Sequence, residues 1–215
     1  MKFPRSLSAA IALASLVALV TSSRTLAAGP VPLFDGKSFA GWDGDTNRTW
    51  QIRDGAVVGG SLTTTVPRNE FLATTGSYTN FVLRLQFKIT GTEGFVNGGV
   101  QIRSQRVPND SEMIGYQADI GEGWFGAIYD ESRRNKVMAK PAEADVKKAV
   151  KPGAWNDYEI RAEGRRVVLK INGVQMVDYT EADATIPQVG RIGLQVHGGG
   201  KTEISYRNLT LEALP

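Results

Sequence analysis

His197 is the single histidine of a 215-residue chain that has no cysteine. Those two counts exclude cysteine-ligated zinc or iron, disulfide scaffolds and any site that needs two imidazoles. A divalent metal is left with carboxylates plus that one ring. His197 closes the alternating run Arg191 to His197 and is followed by Gly198, Gly199 and Gly200, where bare backbone can approach a ligand closely. Imidazole exchanges protons near neutral pH, which makes His197 a candidate base.

Alternation puts Gln195 on the same face as His197. Two other runs carry related polar positions: Gln101, Arg103 and Gln105 within Gly99 to Gln105, and Gln117 and Asp119 within Tyr116 to Ile120. Planar amides with one cation, one carboxylate and one imidazole suit a concave sheet that hydrogen-bonds sugar hydroxyls. Trp124, Phe125 and Tyr129 nearby offer rings that stack on a pyranose. The bland alternative is that Arg103 and Asp119 simply pair with each other on a partly buried face. Asn97-Gly98-Gly99 reads as a tight turn. Tyr129 to Asn135, with Asp130, Glu131, Arg133 and Arg134, reads as a solvated loop in which the adjacent acids diverge.

The elements that must hold these residues are strands. From Phe81 to Ile89 every odd position is apolar and Arg84, Gln86 and Lys88 take the other face, the period-2 pattern of a half-buried strand. Trp155 to Ala162 repeats it, with Tyr158, Ile160 and Ala162 inward. Val167, Leu169 and Ile171 lead through Asn172-Gly173 to Val174 and Met176, a type I′ hairpin signal that sets Ile171 opposite Val174 and Leu169 opposite Met176. Ile204 to Leu211 changes phase at Arg207 and Asn208, as a bulge does. Only Ala142 to Val150, between Pro141 and Pro152, reads as helix. Many strands and almost no helix predict an all-β jelly-roll sandwich of two antiparallel sheets.

Residues 1–27 read as a secretory leader, with Lys2 and Arg5, an apolar run from Leu7 to Val20, and Thr25-Leu26-Ala27 before a cut. The run is shorter than the roughly 20 apolar residues of a membrane span. The leader carries three of the 25 cations and none of the 22 acids, so the formal charge of +3 falls to zero in the remainder, residues 28–215, read as one domain. A neutral chain without a basic stripe gives no basis for nucleic-acid binding. The expected location is outside the cytoplasm, secreted or periplasmic, with no membrane attachment after cleavage. Oligomeric state is not legible in the sequence.

Seven segments carry a family resemblance: LFDGKSFAGW (33–42), Trp50 to Gly60, NGGVQIRS (97–104), GYQADIGEGWFGAIYDESRRNKV (115–137), WNDYEIRAEG (155–164), Ile171-Asn172-Gly173 and GRIGLQVHGGGKTEISYRNLTL (190–211). In order and over nearly all of residues 28–215, they resemble the 3-keto-disaccharide hydrolase domain family, itself similar to the concanavalin-like lectin and glucanase jelly rolls. The resemblance implies an enzyme acting on glycosides or disaccharides oxidised at carbon 3. Retaining laminarinase-type jelly rolls carry Glu-x-Asp-x-x-Glu where this chain has Gln117, Asp119 and Glu122, and an amide is no nucleophile, which argues against double displacement. A 3-keto sugar permits another route. The ketone acidifies the hydrogen on carbon 2, and the oxygen on carbon 1 is then lost by elimination, followed by addition of water. That chemistry needs a base, a stabiliser for the enolate and an acid for the leaving oxygen. The expected base is His197 or Asp119, with Arg103, assisted by a divalent metal, on the enolate. Asn97, Gln101, Gln117 and Gln195 hold hydroxyls, Trp124 stacks, Glu70 and Tyr129 are the weaker candidates for the acid, and Arg134 is a further contact. The alternative is a lectin-like module that binds the same sugars without catalysis.

Overall fold

The computed structural model describes residues 29–215, so the leader expected over residues 1–27 lies outside the described residues. Two antiparallel sheets face each other. One runs in the order β13 (Val174–Thr180), β12 (Arg166–Ile171), β11 (Asn156–Glu163), β6 (Phe81–Gly94), β15 (Gly200–Ala213), β4 (Ala56–Gly60) and β3 (Trp50–Arg53), with β1 (Val31–Pro32) paired on β15. The other runs β10 (Lys136–Ala139), β9 (Ile128–Glu131), β8 (Met113–Gly121), β7 (Asn97–Arg106), β14 (Arg191–Val196), β5 (Glu70–Thr74) and β2 (Trp42–Asp43). A single helix among the described residues, α1 (Glu143–Ala149), has Glu143 and Asp145 in its first turn and Lys147 and Lys148 in its last, the arrangement that suits the helix dipole. This is the jelly-roll sandwich the strand pattern predicts. No helix among the described residues is long and apolar enough to cross a membrane.

The core lies between the sheets. Phe81, Leu83, Leu85, Phe87 and Ile89 of β6 pack with Val100, Ile102, Tyr116, Ala118, Ile120, Ile192, Leu194 and Val196 of the second sheet, each large side chain contributing about 1.5–3 kcal/mol by leaving water. Because the even positions of β7, β8 and β14 face this core, their odd positions turn to the other side of the second sheet. Gly99, Gln101, Gln117, Asp119 and Gln195 therefore share one face.

Two register details depart from the sequence expectation. Asn172 and Gly173 have φ of 48° and 80°, as a type I′ turn requires, and Ile171 pairs with Val174. Leu169, however, pairs with Val177 rather than Met176, because a bulge between Leu169 and Lys170 gives the returning strand one extra residue. Asn97-Gly98-Gly99 is not a turn but the buried start of β7. The phase change at Arg207 and Asn208 is a bulge, with Asn208 at φ 55°.

Candidate active site

On the polar face of the second sheet lies a pocket of about 200 Å³ lined by Phe95, Asn97, Gln117, Asp119, Trp124, Tyr129, Glu131 and His197. Strand register explains the convergence. Asp119 of β8 pairs with Gly99 of β7, which pairs with Gln195 of β14, while Gln117 pairs with both Gln101 and Tyr129. Glycines make the room. A Cβ on Gly99 would stand 2.7 Å from Gln117 Cγ, and one on Gly121 would stand 2.7 Å from Asn97 Nδ2, so both amides lie flat across bare backbone.

The two carboxyls of the pocket hold their protons more tightly than exposed ones do. Burial pushes the Asp119 carboxyl up to about 8, with the Glu131 charge adding to the effect, while a hydrogen bond from Gln117 Nε2 to Asp119 Oδ1 at 2.9 Å and the neighbouring Asn97 amide act the other way. Asp119 Oδ2 has no partner among the described residues. Burial likewise raises Glu131 to about 7, helped by the Glu112 and Asp130 charges. His197 Nδ1 lies 2.7 Å from the Gly198 carbonyl oxygen. A carbonyl only accepts, so in the neutral ring Nδ1 carries the hydrogen and Nε2 keeps its lone pair. Phe95 meets the imidazole edge to face at 4.7 Å between centroids, which fixes its orientation. On the rim, Trp124 and Tyr129 form a second edge-to-face pair at 6.0 Å.

Of the residues expected in the site, His197, Asp119, Asn97, Gln117, Trp124 and Tyr129 meet in this pocket. Gln101 and Gln195 are completely buried beneath it, and both amide ends of Gln195 lack a partner among the described residues. Three residues stand elsewhere. Arg103 has a left-handed backbone, φ 50°, at a bulge between Ile102 and Gln105 that breaks the alternation. Its guanidinium turns away and donates to Thr79 O and Gly164 O, each at 2.6 Å, and to Gln188 Oε1 and Asn80 Oδ1. Neither the expected enolate contact nor a pair with Asp119 is made. Burial lowers this guanidinium to about 10, which still leaves it charged at neutral pH. Arg103→Met is accordingly expected to cost about 2 kcal/mol by removing a buried guanidinium that bonds four acceptors, with turnover per folded molecule unchanged. Denaturant unfolding beside an activity assay reads both.

Glu70 accepts from Arg68 Nε at 2.9 Å and pairs in register with Val196, off the pocket. Arg134 belongs to a clasp: it bonds Asp130, and its Nη2 donates to Glu181 Oε2 at 2.7 Å, while Tyr116 and Tyr179 donate to the same carboxylate. Although burial opposes it, these donors hold Glu181 well below the usual carboxylate range. The clasp pins the β9–β10 hairpin and, through it, Glu131. Asp130 points into the clasp and Glu131 into the pocket, so Tyr129 to Glu131 of the stretch read as a solvated loop belong to strand β9, while Ser132 to Asn135 form the turn into β10. Sequence reasoning missed Glu131 and Phe95, although Tyr129 and Glu131 are two residues apart, the strand signal for a shared face.

Among the described residues no group of three or more His, Asp or Glu side chains comes together to hold a metal ion. Two carboxyls and one imidazole in an aromatic-walled pocket nonetheless form an acid–base set beside a sugar-sized space. This chain belongs to the family of 3-keto-alpha-glucoside-1,2-lyase-like domains, whose pattern matches residues 29–212. No curated protein matched it. Among solved structures, a Parabacteroides distasonis ATCC 8503 protein described as a "putative glycosyl hydrolase" superposes with a TM-score of 0.66 at 21% identity, covering 87% of this chain and 94% of that one. The carbohydrate binding module CBM66 from Bacillus subtilis gives 0.62 at 19% identity, over 80% and 96% of the two chains. A Bacillus subtilis protein of unknown function with a galectin-like fold gives 0.53 at 10% identity, over 85% and 94%. At these identities the likeness is one of fold.

Proposed function

We propose that this chain is an exported lyase that breaks the glycosidic bond of a 3-keto-glycoside by elimination. The observation that carries the reading is one pocket holding two carboxyls whose proton affinity burial raises to near neutrality, beside an imidazole with Nε2 free. An elimination uses the protons that such carboxyls carry near neutral pH, one for the enolate oxygen and one for the leaving oxygen. The family membership supports the same chemistry, and the Lys2, Arg5 and Leu7–Val20 pattern supports export.

The roles follow from protonation state. His197 Nε2 takes the proton from carbon 2, and the C–H electron pair moves into the carbon 2–carbon 3 bond as the ketone becomes an enolate. Protonated Asp119 donates from Oδ2 to that oxygen, the part first expected of Arg103. The enolate then collapses, a double bond forms between carbons 1 and 2, and the leaving oxygen departs with the Glu131 proton. Proton return from His197 to Glu131 through solvent resets the site. Asn97 and Gln117 hold hydroxyls, and Trp124 and Tyr129 pack against the ring at the rim. The volume of about 200 Å³ suits a single sugar unit with its leaving group outside.

Reaction in deuterated water tests this route. The product is expected to be the enone, without hydrogen on carbon 2, or, after water adds, a sugar with deuterium there. A product sugar that keeps its original carbon 2 hydrogen contradicts elimination.

A further inference from the structure

Beneath the pocket a file of buried polar groups runs from Ser104 to Asp119. The Ser104 hydroxyl donates to Gln101 Oε1 at 2.5 Å, Gln101 Nε2 donates to Gln117 Oε1 at 3.3 Å, and Gln117 Nε2 donates to Asp119 Oδ1 at 2.9 Å. All four residues are at most 3% exposed, so water does not substitute for these bonds. Every donor points toward Asp119. The opposite polarity is also chemically available: each amide turned by half a rotation would place Gln117 Oε1 against the carboxyl, which would then donate its proton into the file. In that reversed state Ser104 would donate to the Ile102 carbonyl, 3.0 Å away. The shorter contact, to Gln101, favours the forward polarity.

We infer that Ser104 and Gln101 are positioning residues that, through the polarity of this amide file, hold the Asp119 proton on Oδ2 and toward the substrate. A carboxyl that accepts on Oδ1 keeps its hydrogen on Oδ2, and Asp119 Oδ2 is the oxygen without a partner. The inference rests on the reading of Asp119 as donor to the enolate. Neither Ser104 nor Gln101 lines the pocket, so both act through Gln117. The other titratable groups facing Asp119 are Glu131 from β9, Tyr129 beside it, His197 beyond β14, and Tyr158 and Tyr206 from the opposite sheet. Gln101→Met changes none of them.

The test is a carbon-13 NMR titration of the Asp119 carboxyl in the substrate-free protein, assigned by its loss in Asp119→Asn. Gln101→Met releases Gln117 from its fixed orientation and so weakens the bond from Gln117 Nε2 to Asp119 Oδ1 that favours the charged carboxylate, and the midpoint should rise by about one pH unit. Gln117→Met should do the same, and adding Gln101→Met to it should produce no further shift, the signature of residues acting as one unit. On a 3-keto-glycoside, Gln101→Met should lower kcat about tenfold. A merely structural role would lower stability and leave the midpoint in place. If Gln101→Met does not fold, Ser104→Ala, which removes a single oxygen, carries the same expectation. An unmoved midpoint in either folded variant overturns the inference. A midpoint that moves as expected in a protein whose wild type turns over no 3-keto-glycoside supports the file and defeats the catalytic reading of Asp119.

Discussion

Replacing His197 by alanine is expected to lower kcat by on the order of a hundredfold or more, with KM little changed, because the variant loses the one group placed to take the carbon 2 proton. The hydrogen bond from Nδ1 to Gly198 O commits the hydrogen to that nitrogen and leaves Nε2 as the basic atom. Phe95 buttresses the ring without adding a charge. His197→Gln should lose as much, since an amide fills the space and hydrogen-bonds but is no base. The ring is half-buried at the mouth of the pocket, so neither substitution should unfold the protein. Steady-state kinetics on a 3-keto-glycoside, with circular dichroism as the folding control, measures the effect. Unchanged kcat would remove imidazole from the reaction and leave Glu131 as the base.

Asp119→Asn is expected to stabilise the protein, and increasingly so as the pH rises. The folded protein holds the Asp119 proton up to about pH 8, whereas an exposed aspartate gives it up near 3.8. Below the lower value both states are protonated and the residue is neutral in its effect. Between the two values the unfolded chain binds fewer protons than the folded one, so stability falls as pH rises through the window. Asparagine cannot ionise and escapes that loss. The difference between variant and wild type should vanish near pH 4 and reach on the order of a few kcal/mol by pH 8, or about 2–4 °C in Tm for each kcal/mol. Glu131, raised to about 7, adds slope of the same sign to both proteins, and only the part of it that arises from the Asp119 charge changes between them. Parallel curves of Tm against pH would mean that Asp119 is ionised in the fold and is no donor at neutral pH. Activity should follow the same protons: kcat/KM of the wild type falls as pH rises through about 7 to 8, where the coupled pair loses the protons it must donate. A fold that keeps a destabilising acid unpaired at Oδ2 does so at the expense of stability, which is the usual mark of a working site.

The sandwich was legible because its strands alternate over long runs: Phe81 to Ile89 and Tyr158 to Ala162 each declare an inner face. The candidate pocket was legible where alternation continued undisturbed, through Gln117, Asp119 and His197. It failed where local geometry breaks the period. Arg103 sits two residues after Gln101 and so belongs to the same face by counting, yet its positive φ at the bulge turns it into a structural clasp. Asn97 carries the strongest turn signal of its region, but Gly99 and Gly121 serve to admit the Gln117 and Asn97 amides, a cross-strand relation that no single stretch of sequence reveals. Glu131 was hidden by its neighbours: β9 is four residues long, too short for a clear period, and the charges that follow it suggest solvent rather than the Arg134–Glu181 clasp.

The most direct measurement is release of a chromogenic leaving group from a 3-keto-glucoside, set beside the unoxidised glucoside, with the purified protein. The elimination account predicts release from the keto compound alone, since only there is the carbon 2 hydrogen acidic enough for His197 to remove. Equal release from both sugars, or calorimetric binding of the intact glycoside with release from neither, would contradict it.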